Sequence, residues 1–377
     1  MKFAVCRIAI VAAFFGCLNG CGREAPAALG QAPAARDASF PAPIVELRGS
    51  GEKIGDEYAH QLGGDVQLLH DKYLMKWFQD PGPRFLALGA AVAFEEKLEP
   101  AHRAEIHALA DALHMDEREA MLANCFLDLA PMAACSTIAL PRAASEDGVA
   151  RLGRNLDFPS LDVADKHSVL LIYHPEGRYA FAAVSWPGLI GVLSGMNEHG
   201  LTLANMEVAR PSRFPVALPY TMLYRTVLER CRTVNEAVHL LQTTPRQTTN
   251  NLMLMDASGD RAVAEITPDG VVVRRADDRS ALISTNHQRG PNADGAEYKA
   301  GLCDRYDLLH ATAAEHFGKI DERAVEQLLA QVDVRMTLQA MVFEPETWTL
   351  YLATGTNAAT HAFHRLDLKS YFAQTAK

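Results

Sequence analysis

The 377-residue sequence contains no run of basic residues, and its formal net charge at pH 7 is -10. Binding to nucleic acid depends on clustered Lys and Arg side chains, so this composition argues against a nucleic-acid partner. The sequence also lacks a glycine-rich phosphate loop, an HExxH pattern and a pair of CxxC motifs. Because these motifs hold nucleotides and metals, we expect the protein to use no cofactor and no metal ion.

A hydrophobic run long enough to cross a membrane is also missing from the N-terminus. Lys2 and Arg7 precede an apolar stretch over residues 8–18. This stretch is far short of the roughly 20 residues that span a bilayer. The pattern is typical of a signal peptide, so the protein is predicted to be exported.

The apolar stretch ends in Leu18-Asn19-Gly20-Cys21, which resembles a bacterial lipobox, whose cysteine is acylated and becomes the mature N-terminus. Each buried methylene of an acyl chain contributes about 0.8 kcal/mol, so several chains hold a protein firmly on a membrane. We expect residues 1–21 to be a lipoprotein signal peptide and the Ala- and Pro-rich residues 22–43 to be a flexible tether. The mature protein would be a membrane-anchored lipoprotein in the periplasm or at the cell surface. The alternative is an ordinary cleavable signal in which Cys21 has no special role.

Two patterns of apolar residues divide the rest of the chain. Residues 44–134 show mainly helical spacing, after a short apolar stretch at residues 44–47. Residues 135–377 contain closely spaced strands, with helices predicted near residues 220–242 and 300–331. Two packed antiparallel sheets flanked by helices fit this order, so the fold class is predicted as α+β.

Five cysteines remain once the predicted signal is removed, at positions 21, 125, 135, 231 and 303. An exported protein can form a disulfide among Cys125, Cys231 and Cys303. Buried free thiols at these positions are equally consistent with the sequence.

Cys135 opens the segment that carries the most chemical information. The apolar run that follows it predicts a buried strand, residues 143–148 (AASEDG) predict a turn, and residues 149–158 predict a returning strand. Such a hairpin can bring Arg154 and Asp157 back beside the thiol, where a cation favours the nucleophilic thiolate. The alternative interpretation is an inert, buried cysteine with an Arg and an Asp at the surface.

This hairpin resembles the start of the catalytic subunit in cysteine N-terminal-nucleophile hydrolases. That group includes penicillin acyltransferase-like enzymes, acid ceramidase, N-acylethanolamine acid amidase and the choloylglycine hydrolases. Their pattern is Cys, a short hairpin, then Gly-Arg-Asn-hydrophobic-Asp, which residues 153–157 match. Three further blocks match in the order typical of the group: residues 195–201 (GMNEHGL), residues 284–287 (STNH) and Arg305 at a helix start.

The resemblance implies an αββα sandwich of two antiparallel sheets, preceded by a helical region, with residues 135–377 as the catalytic part. It also implies self-cleavage between Ala134 and Cys135, after attack of the thiol on the Ala134 carbonyl. The α-amino group freed in this way has an unperturbed pKa of roughly 7.7 to 8.0, so it can accept the thiol's proton near neutral pH.

The resemblance implies roles for further side chains. Arg154 would favour the thiolate, and Asp157 would orient the new amine. Glu207 would assist at the amine or the leaving group. Asn286 would hold the oxyanion together with a backbone N–H, and Arg305 would complete the polar shell. Asn197 and Asn205 are weaker candidates. His287 is expected to be structural or solvent-facing.

The expected function is hydrolysis of a linear amide by a self-processed cysteine enzyme, through a thioester acyl-enzyme. The substrate is a small N-acyl or peptide-like molecule, and N-acyl amides, acyl amino acids, β-lactam side chains and small peptides all stay open. One alternative is an acyltransferase that passes the same thioester to an amine. An alternative of another class is a non-catalytic lipoprotein that binds a ligand with the same fold. The hairpin is a few residues longer than is usual in the group, so its turn at residues 145–148 is expected to bulge over the site.

Overall fold

The computed structural model describes residues 40–129, 134–208, 216–290 and 301–373. Cys21 and most of the predicted tether lie outside these residues, so the lipid anchor stays a prediction. Within the described ranges, no helix is both long and apolar enough to cross a membrane.

The chain before Cys135 forms one strand and a layer of helices. These are β1 (Ile44–Gly49), α1 (Gly51–Leu69), α2 (Met75–Trp77), α3 (Pro81–Glu95), α4 (Pro100–Leu113) and α5 (Glu117–Leu129), with a π-helical turn at residues 70–74. The start of α1 is set by Ser50, whose hydroxyl accepts a hydrogen bond from the Lys53 backbone N–H. Both α3 and α4 begin with proline, whose fixed φ suits the first helical turn.

The remaining elements are strands with two pairs of helices and one short terminal helix. The strands are β2 (Ala134–Leu140), β3 (Arg151–Asp157), β4 (Val169–Pro175), β5 (Phe181–Ser185), β6 (Ser194–Asn197), β7 (Thr202–Glu207), β8 (Asn250–Met255), β9 (Arg261–Thr267), β10 (Gly270–Arg274), β11 (Leu282–Ser284), β12 (Thr337–Glu344), β13 (Thr349–Thr354) and β14 (His364–Asp367). The helices are α6 (Tyr220–Arg230), α7 (Val234–Thr243), α8 (Asp304–Glu315), α9 (Glu322–Gln331) and α10 (Lys369–Phe372).

The strands form two sheets. An eight-stranded sheet has the order β1-β4-β5-β6-β7-β8-β9-β10, and a six-stranded sheet has the order β11-β2-β3-β12-β13-β14. Every pairing is antiparallel except that of β1 with β4, which is parallel. The six-stranded sheet contains the β2–β3 hairpin and therefore Cys135.

The two faces of the six-stranded sheet bury different side chains. One face, which includes Cys135 and Leu156, joins a core shared with the eight-stranded sheet and the N-terminal helices. The other face, which includes Ile138 and Val342, joins a second core with α8 and α9. Helix α6 packs closely on the eight-stranded sheet at Gly195, where an added Cβ would lie 2.9 Å from the Leu228 Cδ1. The layers are therefore helix, sheet, sheet and helix, and the predicted α+β sandwich preceded by helices is confirmed.

The predicted elements agree with the observed ones over most of the chain. The β2–β3 hairpin and the helices near residues 220–242 and 304–331 lie where the patterns place them. Three elements were not predicted as such: β1, which was recognised only as a short apolar stretch, and the C-terminal β14 and α10. Cys125, Cys231 and Cys303 are buried and form no disulfide among the residues that the structure describes, which was one of the two alternatives.

Candidate active site

Cys135 lies on the face of the β2–β3 hairpin that is buried between the two sheets. It pairs with Leu156 across the hairpin, and alternate residues of a strand share a face, so Arg154 projects on the same side as the thiol. The Arg154 Nη2 lies 3.5 Å from the Cys135 Sγ, and its Nη1 donates to the Leu193 carbonyl at 2.6 Å. The sequence prediction that the hairpin returns a cation to the thiol agrees with this geometry.

The thiol of Cys135 is fully buried, and burial raises its pKa. The charge of Arg154 and a hydrogen bond from the Asp157 backbone act in the opposite direction but do not reverse the shift. The thiol is therefore mostly protonated near neutral pH. A base must remove its proton before it can act as a nucleophile.

The backbone nitrogen of Cys135 contacts Asn286. Strand β11 pairs antiparallel with β2, with Ser284 opposite Thr137, so the chain that leaves β11 runs toward Cys135. The Cys135 N–H donates to the Asn286 Oδ1 at 2.7 Å, and the Asn286 Nδ2 donates to the Glu207 carbonyl at 2.7 Å. The amide of Asn286 thus links the end of β7 to the nitrogen that self-cleavage would convert into an amine.

Asp157 and Arg305 meet on the other side of the hairpin. Asp157 pairs with Ala134, so it lies beside the peptide that self-cleavage would break. Arg305, the second residue of α8, donates from Nη1 to the Asp157 Oδ2 at 2.8 Å and from Nη2 to the Asn286 Oδ1 at 3.1 Å. Arg305 therefore bridges the carboxylate and the amide that contacts the nucleophile's nitrogen.

Burial raises the pKa of Asp157 to about 7, while the charge of Arg305 and a hydrogen bond from Thr337 oppose this rise. The carboxyl group consequently titrates close to neutral pH. If catalysis requires ionised Asp157, the rate should rise as the pH increases through about 7.

Glu207 ends β7 and is buried. Its carbonyl accepts the hydrogen bond from Asn286, and its charge helps to raise the pKa values of Asp128 and Tyr220, for which burial is the main cause. Glu207 therefore contributes its backbone to the site, and its side chain belongs to an adjacent group of buried acids and phenols. The charge of Cys135 also contributes to the raised pKa of Tyr220. No sequence pattern indicated Tyr220 as a residue near the site.

The structure brings together five of the six side chains predicted for catalysis, with the backbone carbonyl of the sixth residue, Glu207, and the hydrogen bonds add detail to the predicted roles. Asn286 was predicted to hold an oxyanion, whereas its oxygen here accepts from the Cys135 nitrogen. Asp157 was predicted to orient the amine, and its two oxygens bind Arg305 and Thr337. Thr337 was not predicted, because a threonine at a strand start carries no distinguishing sequence signal.

Two weaker expectations are resolved by the geometry. The hairpin turn was predicted to bulge over the site, but Leu140 pairs with Arg151 at the turn end, five residues along β2 from Cys135. The turn lies at the far end of the hairpin, so this prediction is wrong. The side chain of Asn197 stabilises the turn that follows β6. Its Nδ2 donates to the Leu228 and Cys231 carbonyls, and its Oδ1 accepts from two backbone N–H groups of its own loop. It acts as a structural residue.

An apolar cleft lies between the N-terminal helices and the sheets. Its cavity volume is about 70 Å³, and the cleft is partly open to solvent. Its wall includes Phe158, which directly follows Asp157 at the end of β3. Phe126 and Trp186 contact the Phe158 ring, with centroids 6.4 and 6.0 Å away. The cleft is therefore an apolar space beside the end of the strand that carries Arg154 and Asp157.

The described residues include no group of three or more His, Cys, Asp or Glu side chains that could hold a metal ion. The chemistry of the site is carried by a thiol, a carboxyl group, two guanidinium groups and an amide.

Residues 144–359, more than half of the chain, match the family described as acyl-coenzyme A:6-aminopenicillanic acid acyl-transferase. The protein belongs to this family. The family is part of the penicillin acylase-like group of N-terminal-nucleophile hydrolases, so the predicted resemblance is confirmed. Its members are enzymes that act on carbon–nitrogen bonds as amide hydrolases or acyltransferases, and the predicted enzyme class is confirmed at that level.

The matched range begins after Cys135 and includes the other five predicted catalytic residues of this acyl-transferase family member. The chain is 28% identical over 163 aligned positions to the N-acylethanolamine-hydrolyzing acid amidase of Oryctolagus cuniculus, and the alignment covers 41% of the chain and only 44% of that relative. Protein dcd1A of Dictyostelium discoideum is 22% identical over 384 aligned positions, which cover 88% of the chain and 86% of the relative.

Two solved structures are also similar. A Caenorhabditis elegans ortholog of N-acylethanolamine-hydrolyzing acid amidase aligns with a TM-score of 0.43 and 19% identity over 56% of this chain and 93% of its own. Penicillin V acylase from Agrobacterium tumefaciens aligns with a TM-score of 0.45 and 17% identity over 62% of this chain and 86% of its own.

Proposed function

We propose that this protein is a self-processing cysteine amidase that hydrolyses N-acyl amides through a thioester on Cys135. The observation that carries the proposal is the pairing of two contacts at one residue. The Cys135 Sγ lies 3.5 Å from the Arg154 guanidinium, and the Cys135 nitrogen lies 2.7 Å from the Asn286 Oδ1. A thiol and an amine on one residue, each with its own partner, suit a nucleophile that carries its own base.

Self-processing would begin at the Ala134–Cys135 peptide. The Cys135 Sγ would bond to the Ala134 carbonyl carbon as the bond from that carbon to the Cys135 nitrogen breaks, and the thiol proton would move to the departing nitrogen. Water would then add to the thioester, so that Ala134 leaves as a carboxylate and the sulfur regains a proton. The product is a free α-amino group beside the thiol.

Substrate hydrolysis would use the same sulfur. The α-amino group would take the thiol proton, the thiolate would attack the substrate amide, and the proton would pass to the leaving amine. Water, deprotonated by the same α-amino group, would then add to the thioester, so that the carbon–sulfur bond breaks, the acyl group leaves as a carboxylate and the sulfur regains a proton. Arg154 would stabilise the negative sulfur, while Asn286 would hold the amine through its oxygen. An amide N–H of Asn286 and a backbone N–H would bind the oxyanion.

The apolar cleft favours a substrate with a hydrophobic acyl group. Its aromatic wall includes Phe158, which directly follows the strand that carries Arg154 and Asp157. Burying each methylene of an acyl chain contributes about 0.8 kcal/mol, so affinity should increase with chain length until the cleft is filled. Amides of short, polar acids should be poorer substrates.

We further propose that the lipobox anchors the enzyme to a membrane through Cys21. The support is the LNGC sequence after an apolar stretch.

One mass spectrum of the purified mature protein tests processing and anchoring together. Wild-type protein should give two chains, the second beginning at Cys135, and Cys135→Ala should give one chain without amidase activity. The N-terminal chain should carry acyl groups, which Cys21→Ser should lack. A single uncleaved chain that hydrolyses N-acyl amides at full rate would contradict the self-processing mechanism. Faster product formation with an added amine acceptor would instead favour the acyltransferase alternative.

A further inference from the structure

Thr337 faces Asp157 from the neighbouring strand. It is the first residue of β12, it pairs with Asp157 in register, and the register shifts before Gln339, so a bulge follows at once. Both Thr337 and Asp157 have no exposed surface. The Thr337 Oγ1 lies 2.6 Å from the Asp157 Oδ1. This distance is usual for a hydroxyl that donates to a carboxylate, so the contact is a buried hydrogen bond between β12 and β3.

The direction of this hydrogen bond follows from the neighbours of Thr337. The Val334 N–H donates to the Thr337 Oγ1 at 3.0 Å, and a backbone N–H can only donate. The hydroxyl oxygen therefore acts as the acceptor toward Val334, and its single proton points toward Asp157. A donor on a carboxylate oxygen favours the ionised form of the acid.

The other groups around Asp157 do not replace this donor. Arg305 of α8 binds the opposite oxygen, and Arg154 of β3 adds a second positive charge. The negative charge of Asp333, which precedes β12, disfavours ionisation of Asp157. A thiolate at Cys135 would act in the same direction. The balance leaves the pKa of Asp157 at about 7, so the loss of one donor would leave the acid largely protonated at neutral pH.

A continuous chain of hydrogen bonds joins Thr337 to the nucleophile. It runs from Thr337 to Asp157 at 2.6 Å, from Asp157 to Arg305 at 2.8 Å, from Arg305 to Asn286 at 3.1 Å and from Asn286 to the Cys135 nitrogen at 2.7 Å. We propose that Thr337 is a positioning residue, which keeps Asp157 ionised and oriented so that Arg305 and Asn286 hold the Cys135 nitrogen. This inference rests on the proposed function, because the nitrogen matters only if it becomes the base.

The test compares Thr337→Val, which removes the hydroxyl and keeps the shape, with Thr337→Ser, which keeps the hydroxyl. A hydrogen bond to a charged group accounts for about a ten- to hundredfold change in rate, so Thr337→Val should lower kcat by that factor at pH 7 with KM nearly unchanged. The acid limb of its pH–rate profile should shift upward by about one pH unit or more. Thr337→Ser should retain the wild-type profile.

A readout that does not need amidase activity separates this inference from the proposed function. In carbon-13-labelled protein, the carboxyl resonance that disappears in Asp157→Asn reports the titration of Asp157. Its midpoint should rise in Thr337→Val and stay unchanged in Thr337→Ser, even if no amide substrate is turned over. If Thr337→Val does not fold, Thr337→Ala serves as the second hydroxyl-free variant and is judged by the same criterion.

Two results would overturn the inference. An unchanged Asp157 midpoint in a folded, hydroxyl-free variant would show that Thr337 does not control the carboxyl group. Equal loss of activity in Thr337→Val and Thr337→Ser, with a wild-type pH profile in both, would assign Thr337 a packing role only.

Discussion

At the residue scale, the two ends of Cys135 have different partners. Its sulfur faces Arg154 and its nitrogen faces Asn286, and both contacts arise from strand register rather than from sequence neighbours. Arg154 is 19 residues from Cys135 along the chain, and Asn286 is 151 residues away. The site therefore depends on β2 being paired on both sides at once.

Substitution of the side chains around Cys135 should separate the proposed mechanism from a cysteine–histidine one. Arg154→Ala, Asp157→Ala and Asn286→Ala should each lower turnover by about two orders of magnitude or more, as expected for a lost oxyanion donor or a misplaced nucleophile. The matched control is His287→Ala, next to Asn286, which is exposed and should change turnover little. Steady-state kinetics on an N-acyl amide measures all four.

The opposite order would refute these roles. If His287→Ala abolished turnover while Asp157→Ala and Asn286→Ala did not, a cysteine–histidine pair would be indicated, even with Cys135 as the nucleophile.

The site residues found from the sequence were those that belong to recognisable motifs. Arg154 and Asp157 lie within the Gly-Arg-Asn-Leu-Asp pattern, and Asn286 lies within STNH. Thr337 and Tyr220 lie outside such patterns, and only the tertiary structure brings them near Cys135. Their contribution depends on the β12 bulge and on the start of α6, which periodicity alone does not reveal.

At the element scale, close packing at a few glycines sets the spacing of the layers. A Cβ at Gly153 would lie 2.7 Å from the Val325 Cγ1 and 3.2 Å from the Ile138 Cγ2. Helix α9 therefore packs directly on the backbone of β3, one residue from Arg154. A larger residue at this position would push α9 away from the strand that carries Arg154 and Asp157.

Gly153→Ala should accordingly destabilise the protein by about 1–3 kcal/mol, because overpacking forces the neighbours out of their preferred positions. Adding Val325→Ala should recover part of the loss by making room. The control is Gly89→Ala on α3, where an added Cβ meets nothing within 4 Å. Alanine favours helix more than glycine does, so this control should stabilise by about 0.5–1 kcal/mol. Chemical denaturation gives the free energies, and equal effects of the two alanines would contradict the packing argument.

Most elements were predictable because their apolar residues repeat with a clear period. Strand β1 was recognised only as a short apolar stretch because it is six residues long and its partner, β4, lies more than 100 residues further on. Strand β14 is half exposed at the sheet edge, so its pattern carries little apolar signal. The αββα topology could not be read from periodicity and was implied only by the family resemblance, and the strand order within each sheet was not predicted.

At the scale of the whole molecule, a buried network of charges joins the N-terminal helices to the catalytic region. Arg225 of α6 binds both oxygens of Glu105 of α4, at 2.9 and 2.7 Å, and donates to Glu229 at 2.8 Å. His102 of α4 contacts Glu229 at 2.9 Å, and the Arg225 guanidinium lies 4.5 Å from the centre of the Tyr173 ring. The network would hold the two chains together after self-cleavage.

Arg225→Met should destabilise the folded protein by about 3–5 kcal/mol, because it leaves the carboxylates of Glu105 and Glu229 buried without their main partner. The N-terminal chain should then separate from the catalytic chain during gel filtration of processed protein. Arg323→Met removes an exposed guanidinium of α9 and should leave both properties unchanged. Wild-type stability and co-elution in Arg225→Met would show that the network is not what joins the two parts.

Strand β1 makes the N-terminal chain a structural part of the catalytic sheet. It precedes the proposed cleavage point, yet it pairs in parallel with β4 over six residues and covers that edge. Cleavage would therefore leave a sheet assembled from two polypeptides. A gene that encodes only residues 135–377 would produce a sheet with the β4 edge unpaired, and exposed edges pair with other chains. For recombinant work, the two parts should be expressed as one precursor or together, since the shorter product is expected to aggregate.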